Sequence, residues 1–197
     1  MAQQVKERPA ILHEKLLDAA GELLIDHTWS QISMAEIAKQ AGVSRQTLYN
    51  EFGSRDEFAQ LFALRETDRF VTTVERAMAQ HPEDAHAALR GAFTLFLREA
   101  ADNPMVRQIV VREPGSDDLF ALFTTRGGPV VELATLRLSA QMLELWPQAG
   151  VDRSRLAAEG LVRLAISHAG LPTMPIAEAA RSVGELIGPY LDQALAG

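Results

Sequence analysis

The chain has 197 residues, no cysteine and a formal net charge of −7; it can build one or two domains with a substantial core, but neither a disulfide scaffold nor a thiolate metal site. No apolar run reaches the length that spans a bilayer, and the first residues are polar and charged where a secretory signal would be apolar, so a cytoplasmic protein is expected. Residues 1–55 hold six Lys or Arg against seven Asp or Glu, and the remainder thirteen against nineteen, so any attraction to phosphate must be local, from Lys6, Arg8, Lys39, Arg45 and Arg55.

Residues 1 to about 8 read as a mobile polar tail whose Lys6 and Arg8 are either solvated or within reach of DNA. Pro9 suits the first turn of a helix, and Leu12, Leu16, Ala19, Ala20 and Leu23 recur at helical spacing to about Ile25. Trp29 lies in the following loop as an anchor. Ser33 and Glu36 form a capping box, Met34, Ile37, Ala38 and Ala41 share one face, and Gly42 supplies the left-handed residue that ends the helix. Ser44 caps a further helix that turns Leu48 and Phe52 inward and leaves Arg45, Gln46, Thr47, Tyr49 and Asn50 on the other face. Two short helices joined by so tight a turn make a helix-turn-helix.

The free face of the second helix is either an ordinary solvated surface or a DNA reader. Arg and Gln pair bidentately with guanine and adenine edges, Thr and Tyr hydroxyls commonly donate to phosphates, and Arg45 and Gln46 sit at the end that enters a major groove. The segment AGVSRQTLYNEFGSRDEF, preceded by a capped helix and a long amphipathic one, resembles the DNA-binding end of the TetR family of one-component repressors. The resemblance covers the first third of the chain closely and the rest in length and helical character. It implies base contacts from Arg45 and Gln46, phosphate contacts from Thr47, Tyr49 and Arg55, and an operator of double-stranded DNA; Ser44 and Asn50 are counted with them as DNA-binding. Glu51 stands where a histidine is frequent in that family, and Gly53 where a proline is frequent.

Ser54, with Asp56 and Glu57 in the first turn, opens a fourth helix to about Gln80 carrying Phe58, Leu61, Phe62, Arg65, Phe70, Val74 and Met78. It is expected to link two domains, which the resemblance implies are a DNA-binding domain, residues 1–54, and a ligand-binding and dimerisation domain, residues 55–197. HPEDA opens a fifth helix with Leu89, Ala92, Phe93, Phe96 and Leu97 inward. Asn103-Pro104 opens a sixth with Met105, Ile109 and Val110, stopped by Pro114-Gly115. Leu119 to Phe123 reads as a short apolar turn. A seventh helix follows Gly127-Gly128-Pro129 to Trp146. Two last helices carry Leu156, Gly160, Leu161, Leu164 and Ala165, then Ile176, Ala179, Ala180, Val183, Ile187, Tyr190 and Leu191, with Pro189 expected to kink the final one. Their small residues suit a core and a helix-pair interface equally; the family resemblance implies a homodimer through these two helices. The fold class is all-α.

The histidines offer no catalyst: His81 and His86 fall at a helix start, His168 at a helix end, and His13 and His27 lack suitable neighbours. No nucleophile elbow, zinc motif or nucleotide loop occurs, so no enzyme, metal or cofactor is expected. The middle helices are rich in large, adaptable apolar groups: Phe93, Phe96, Leu97, Met105, Phe120, Phe123, Met142, Leu143 and Trp146. DDLFALFTTRGGPV and LVRLAISHAGLP also resemble TetR-type regulators associated with lipid and alkane handling. An elongated apolar effector such as a long-chain acyl compound is therefore expected, with any polar head near Arg126, Arg137 or His168. The alternative is an all-helical module that binds small molecules or proteins and has no DNA function.

Overall fold

The computed structural model describes residues 2–111 and 117–196, with side chains at 11–108 and 119–196. The described residues form ten α-helices and no strand: α1 (Ala2–Asp26), α2 (Met34–Gln40), α3 (Arg45–Phe52), α4 (Arg55–Met78), α5 (Ala85–Asp102), α6 (Pro104–Val111), α7 (Asp117–Phe123), α8 (Gly128–Leu145), α9 (Val151–Gly170) and α10 (Ile176–Leu195). A single 3-10 turn, Pro147–Ala149, separates α8 from α9.

The helix ends are set by local chemistry. At α2 the Ser33 hydroxyl accepts from the Glu36 amide at 3.2 Å while the Glu36 carboxylate accepts from the Ser33 amide at 2.7 Å. Its far end closes with two bonds, from the amide of Val43 to the carbonyl of Ala38 and from Gly42 to Lys39, the paired pattern that needs Gly42 at its φ of +67°. Ser54 and Glu57 repeat the reciprocal cap at the start of α4. Gly53, between α3 and α4, has a φ of +72°. A proline, fixed near −65°, cannot adopt that angle, so this chain makes the α3–α4 turn differently from the pattern with proline at this position.

Two apolar cores result, and α4 belongs to both. The first gathers Leu16, Ala20 and Leu24 of α1, Ile37 of α2, Leu48 and Phe52 of α3, and Phe58 and Phe62 of α4; Met105, Leu119 and Leu122 reach it from α6 and α7. The second is built from α4, α5, α8, α9 and α10. Within it α8 packs chiefly on α9, α4 on α5 and α8, and α5 on α10.

Aromatic and polar contacts fasten α1 and its loop to the rest. Trp29 is buried and stacks on Phe58 and Phe62 of α4, with ring centroids 6.5 and 6.1 Å away. Its amide donates to the side-chain oxygen of Gln108 on α6 at 3.0 Å, and the Gln108 amide nitrogen donates to the carbonyls of Leu24 and His27. Asp18 of α1 accepts from Arg65 and Arg69 of α4 at 2.6 and 2.7 Å. Burial alone would raise the Asp18 pKa, but the hydrogen bonds from Arg69 and Arg65 outweigh it and hold the carboxyl below its ordinary range.

Several expectations change. The chain is helical from Ala2, ahead of Pro9, where a tail was expected. Leu119 to Phe123 is not a turn but most of α7, which buries Leu119 and Leu122 in the first core and packs on α4, α6 and α8. The side chains of Lys6, Arg8, Ile109 and Val110, and the expected stop at Pro114-Gly115, lie outside the described residues.

Candidate DNA-reading face and apolar cavity

Ser44 starts α3 by accepting from the Thr47 amide at 3.0 Å, and its hydroxyl meets that of Thr47 at 2.8 Å. Beyond this cap the exposed face carries two side-by-side pairs, each spanning one turn. The Arg45 guanidinium donates to the Tyr49 hydroxyl at 3.4 Å and lies 5.2 Å from that ring's centroid. The Gln46 amide donates to the Asn50 side-chain oxygen at 2.8 Å. Leu48 and Phe52 on the opposite face are buried. The structure thus brings Ser44, Arg45, Gln46, Thr47, Tyr49 and Asn50 onto one accessible strip, with the two base-reading side-chain types at its amino-terminal end.

Arg55 is placed differently. Its guanidinium donates to the backbone carbonyls of Trp29 and Ile32 and lies 4.7 Å from the Trp29 ring centroid. It is engaged inside the domain, bracing the α1–α2 loop, rather than held out for a phosphate. Glu51 is also engaged: its carboxylate accepts from the His13 Nε2 at 3.1 Å, and the His13 ring stacks on Phe52 with centroids 4.4 Å apart. An ionised carboxylate only accepts, so Nε2 carries the proton in this pair. His13 therefore has the neighbours that its sequence context did not reveal, and the acid on α3 is partly masked where it would face DNA.

A cavity of about 150 Å³ lies among α4 through α9. Phe93 and Phe96 of α5 and Phe120 and Phe123 of α7 line it as expected, joined by Phe70, Val71 and Val74 of α4, Val130 and Leu138 of α8, and Leu161 and Ile166 of α9. Phe70 and Phe96 meet edge-on with centroids 5.5 Å apart. The lining hydroxyls, Thr67 and Thr124, donate to the carbonyls of Ala63 and Phe120, each four residues back and each at 2.8 Å. The walls thus leave no side-chain donor open to a ligand.

The other expected cavity residues divide. Leu97 and His168 line an adjoining pocket of about 190 Å³. Met105 packs into the first core, Met142 is buried in the second, and Leu143 is half-buried without reaching the cavity. Trp146 is buried because its indole N–H donates to the Pro82 carbonyl at 2.7 Å, which pins the α4–α5 loop. Neither Arg126 nor Arg137 faces the cavity: Arg126 pairs with Asp56 at 2.8 Å, and Arg137 with Asp68 and Glu75 of α4. Hydrogen bonds donated to the Glu75 carboxylate raise the Arg137 pKa further, against a smaller opposing effect of burial. Leu161 of α9, which the sequence left open between core and helix-pair interface, faces this cavity together with Ile166.

Comparison with known proteins agrees with this geometry. Residues 16–61 match the model for bacterial regulatory proteins of the tetR family, and residues 84–189 match the carboxy-terminal domain of the bacterial tetracyclin repressor. The chain is 33% identical over 186 residues to the HTH-type transcriptional regulator AlkX of Mycobacterium tuberculosis, covering 93% of this chain and 87% of that one. It is 35% identical over 82 residues to the HTH-type transcriptional activator FasR of Mycolicibacterium smegmatis, covering 42% of this chain and 37% of the other. Among solved structures it superposes on the TetR family repressor AlkX of a Dietzia species, a protein implicated in biodegradation of n-alkanes, with a TM-score of 0.82 and 35% identity over 92% of this chain and 95% of that one.

Proposed function

The chain belongs to the TetR family of bacterial transcriptional regulators, which are not enzymes, and from that premise we propose that it is a repressor that binds a palindromic operator as a homodimer and is released by an apolar effector. One observation carries the reading. The single helix α4 begins at the cap beside α3 and, further along, supplies Thr67, Phe70, Val71 and Val74 to the cavity wall. A helix of 24 residues is about 36 Å long, so whatever shifts its cavity end moves its DNA end as well.

Residues 1–54 act as the DNA-binding domain and residues 55–197 as the ligand-binding and dimerisation domain. Arg45 and Gln46 read bases, Ser44, Thr47, Tyr49 and Asn50 support them or hold phosphates, and Arg55 braces the domain. Two copies pair through α9 and α10, which leave Leu156 and Leu186 exposed, and set the two α3 helices roughly 34 Å apart or at a multiple of that spacing. The effector acts only through its difference in affinity for the DNA-fitting and non-fitting arrangements. The similarity to an AlkX repressor tied to n-alkane degradation supports an alkyl or acyl effector acting in the cytoplasm. The test is a gel-shift with DNA flanking the chain's own gene, followed by titration of fatty acids and acyl-CoA esters into the complex. A shift lost in an Arg45→Ala, Gln46→Ala double variant and reversed by an apolar ligand supports it; no shift, or reversal only by a hydrophilic metabolite, overturns it.

A further inference from the structure

The cavity shares a wall with the 190 Å³ pocket: Val106 of α6 and Ala169 of α9 line both. The two spaces differ chemically. The cavity offers no open side-chain donor, whereas the adjoining pocket is lined by Arg107 and His168. Among the described residues neither the Arg107 nor the His168 side chain makes a hydrogen bond or an ion pair. The His168 ring meets Phe93 edge-on at 5.9 Å, and Phe93 itself lines the cavity, so the cation-bearing pocket touches the apolar one at a third point.

Neither space alone reaches the roughly 300 Å³ at which small-molecule sites begin, but the two joined across Val106 and Ala169 do. A guanidinium without a carboxylate partner and an imidazole that donates an N–H in either neutral tautomer match an anionic head of carboxylate or phosphate size. The remaining walls of the pocket, Leu97, Ala100, Met174 and Ile176 among them, are apolar, which leaves the head no other charged partner there.

We propose that Arg107 and His168 form a head-group subsite for a single-chain amphiphile with one anionic head, whose tail crosses between Val106 and Ala169 into the cavity. This rests on the cavity being the effector site, and it narrows the effector from apolar molecules in general to alkyl anions.

Binding of dodecanoate, dodecyl phosphate and dodecan-1-ol to the full chain is measured by calorimetry for the wild type, for Arg107→Gln, for His168→Gln and for the double variant, with Phe123→Trp as a cavity-filling control. The expected result is that an anion binds at least about tenfold more tightly than the alcohol and that the double variant abolishes this preference while leaving the alcohol's affinity unchanged; the two anions distinguish a carboxylate site from a phosphate site. Weakening of all three ligands by Phe123→Trp places the tail in the cavity. If all bind and Phe123→Trp blocks them, yet the anion is not preferred or its preference survives the double variant, the head-group subsite is overturned while the cavity reading stands. If none binds, both are overturned.

Discussion

Gln108 holds Trp29 by its backbone: the side-chain oxygen on α6 accepts the Trp29 amide at 3.0 Å, across 79 residues of sequence. Gln108 is only 8% exposed, and its nitrogen is spent on the Leu24 and His27 carbonyls. One amide thus closes three backbone groups at the end of α1, and it does so from a helix whose Val106 lines the apolar cavity. Replacing Gln108 by Ala leaves these groups unpaired and should cost about 1–3 kcal/mol in urea unfolding. Gln108→Glu should not restore it, because it puts a carboxylate oxygen against two carbonyls. In the same variants an effector should release DNA less completely. Full stability with full release would show that α6 does not hold the loop.

Reading and bracing residues should separate in DNA binding. Arg45→Ala or Gln46→Ala should relax preference at particular base pairs by about 1–3 kcal/mol each, and Tyr49→Phe should weaken all sequences alike. Arg55→Ala should instead lower unfolding stability by about 1–3 kcal/mol and leave the salt dependence of binding unchanged. Arg55→Lys should not rescue it, since one ammonium cannot reproduce a fork spread over two carbonyls and an indole face. A salt slope that fell in Arg55→Ala would return Arg55 to the DNA interface.

The reciprocal caps give the amino-terminal region an acid sensitivity of known sign. Bonds from the backbone amide and then the hydroxyl of Ser33 hold Glu36 below its ordinary pKa, and those of Ser54 do the same for Glu57. A carboxyl whose pKa is lower folded than unfolded adds stability above the unfolded value and loses it as pH falls through the folded one. Glu57→Gln should therefore be less stable than the wild type at neutral pH, and the difference should shrink below about pH 4.3 and vanish below the depressed folded value. Equal stability across the whole range would mean that the cap contributes nothing.

Effector length should show a threshold. An apolar cavity near 150 Å³ holds a molecule of about six carbons. Affinity in an alkyl series should rise by about 0.8 kcal/mol per methylene up to that size, and longer chains must pass Val106 and Ala169. Operator release should begin only with those longer chains. Equal release by short and long members, followed by gel-shift, would detach release from displacement of that wall.

Leu156 on α9 and Leu186 on α10 are 61% and 66% exposed. Changing either to Glu should leave helicity unchanged by circular dichroism, shift the protein to monomer in sedimentation and weaken operator binding. An unshifted dimer would move the interface elsewhere.

What could be read from the sequence was whatever is encoded within a few residues. Ser33 with Glu36, Gly42, and Ser44 ahead of an Arg–Gln pair act on backbone groups three to five positions away, so type and spacing sufficed. The chemistry of Arg55 and Gln108 was not legible, because both serve backbone groups far away in sequence, and a backbone carbonyl carries no residue signature. α7 was read as a turn because seven residues span barely two turns of periodicity. Phe96 and Trp146 looked alike as cavity aromatics; the Pro82 carbonyl within reach of the indole took Trp146 out of that set.

The two threonines of the cavity wall, each donating to a carbonyl four residues back, also settle what a ligand exchanges on entry. An apolar space whose hydroxyls are already spent on backbone carbonyls offers water few partners, so an incoming chain displaces little bound water from it. It gains dispersion contacts with the apolar walls. Binding should then be exothermic near room temperature with a negative heat-capacity change, rather than driven by entropy as in simple partitioning into oil. Xenon, which carries no polar group, should bind the same space under modest pressure.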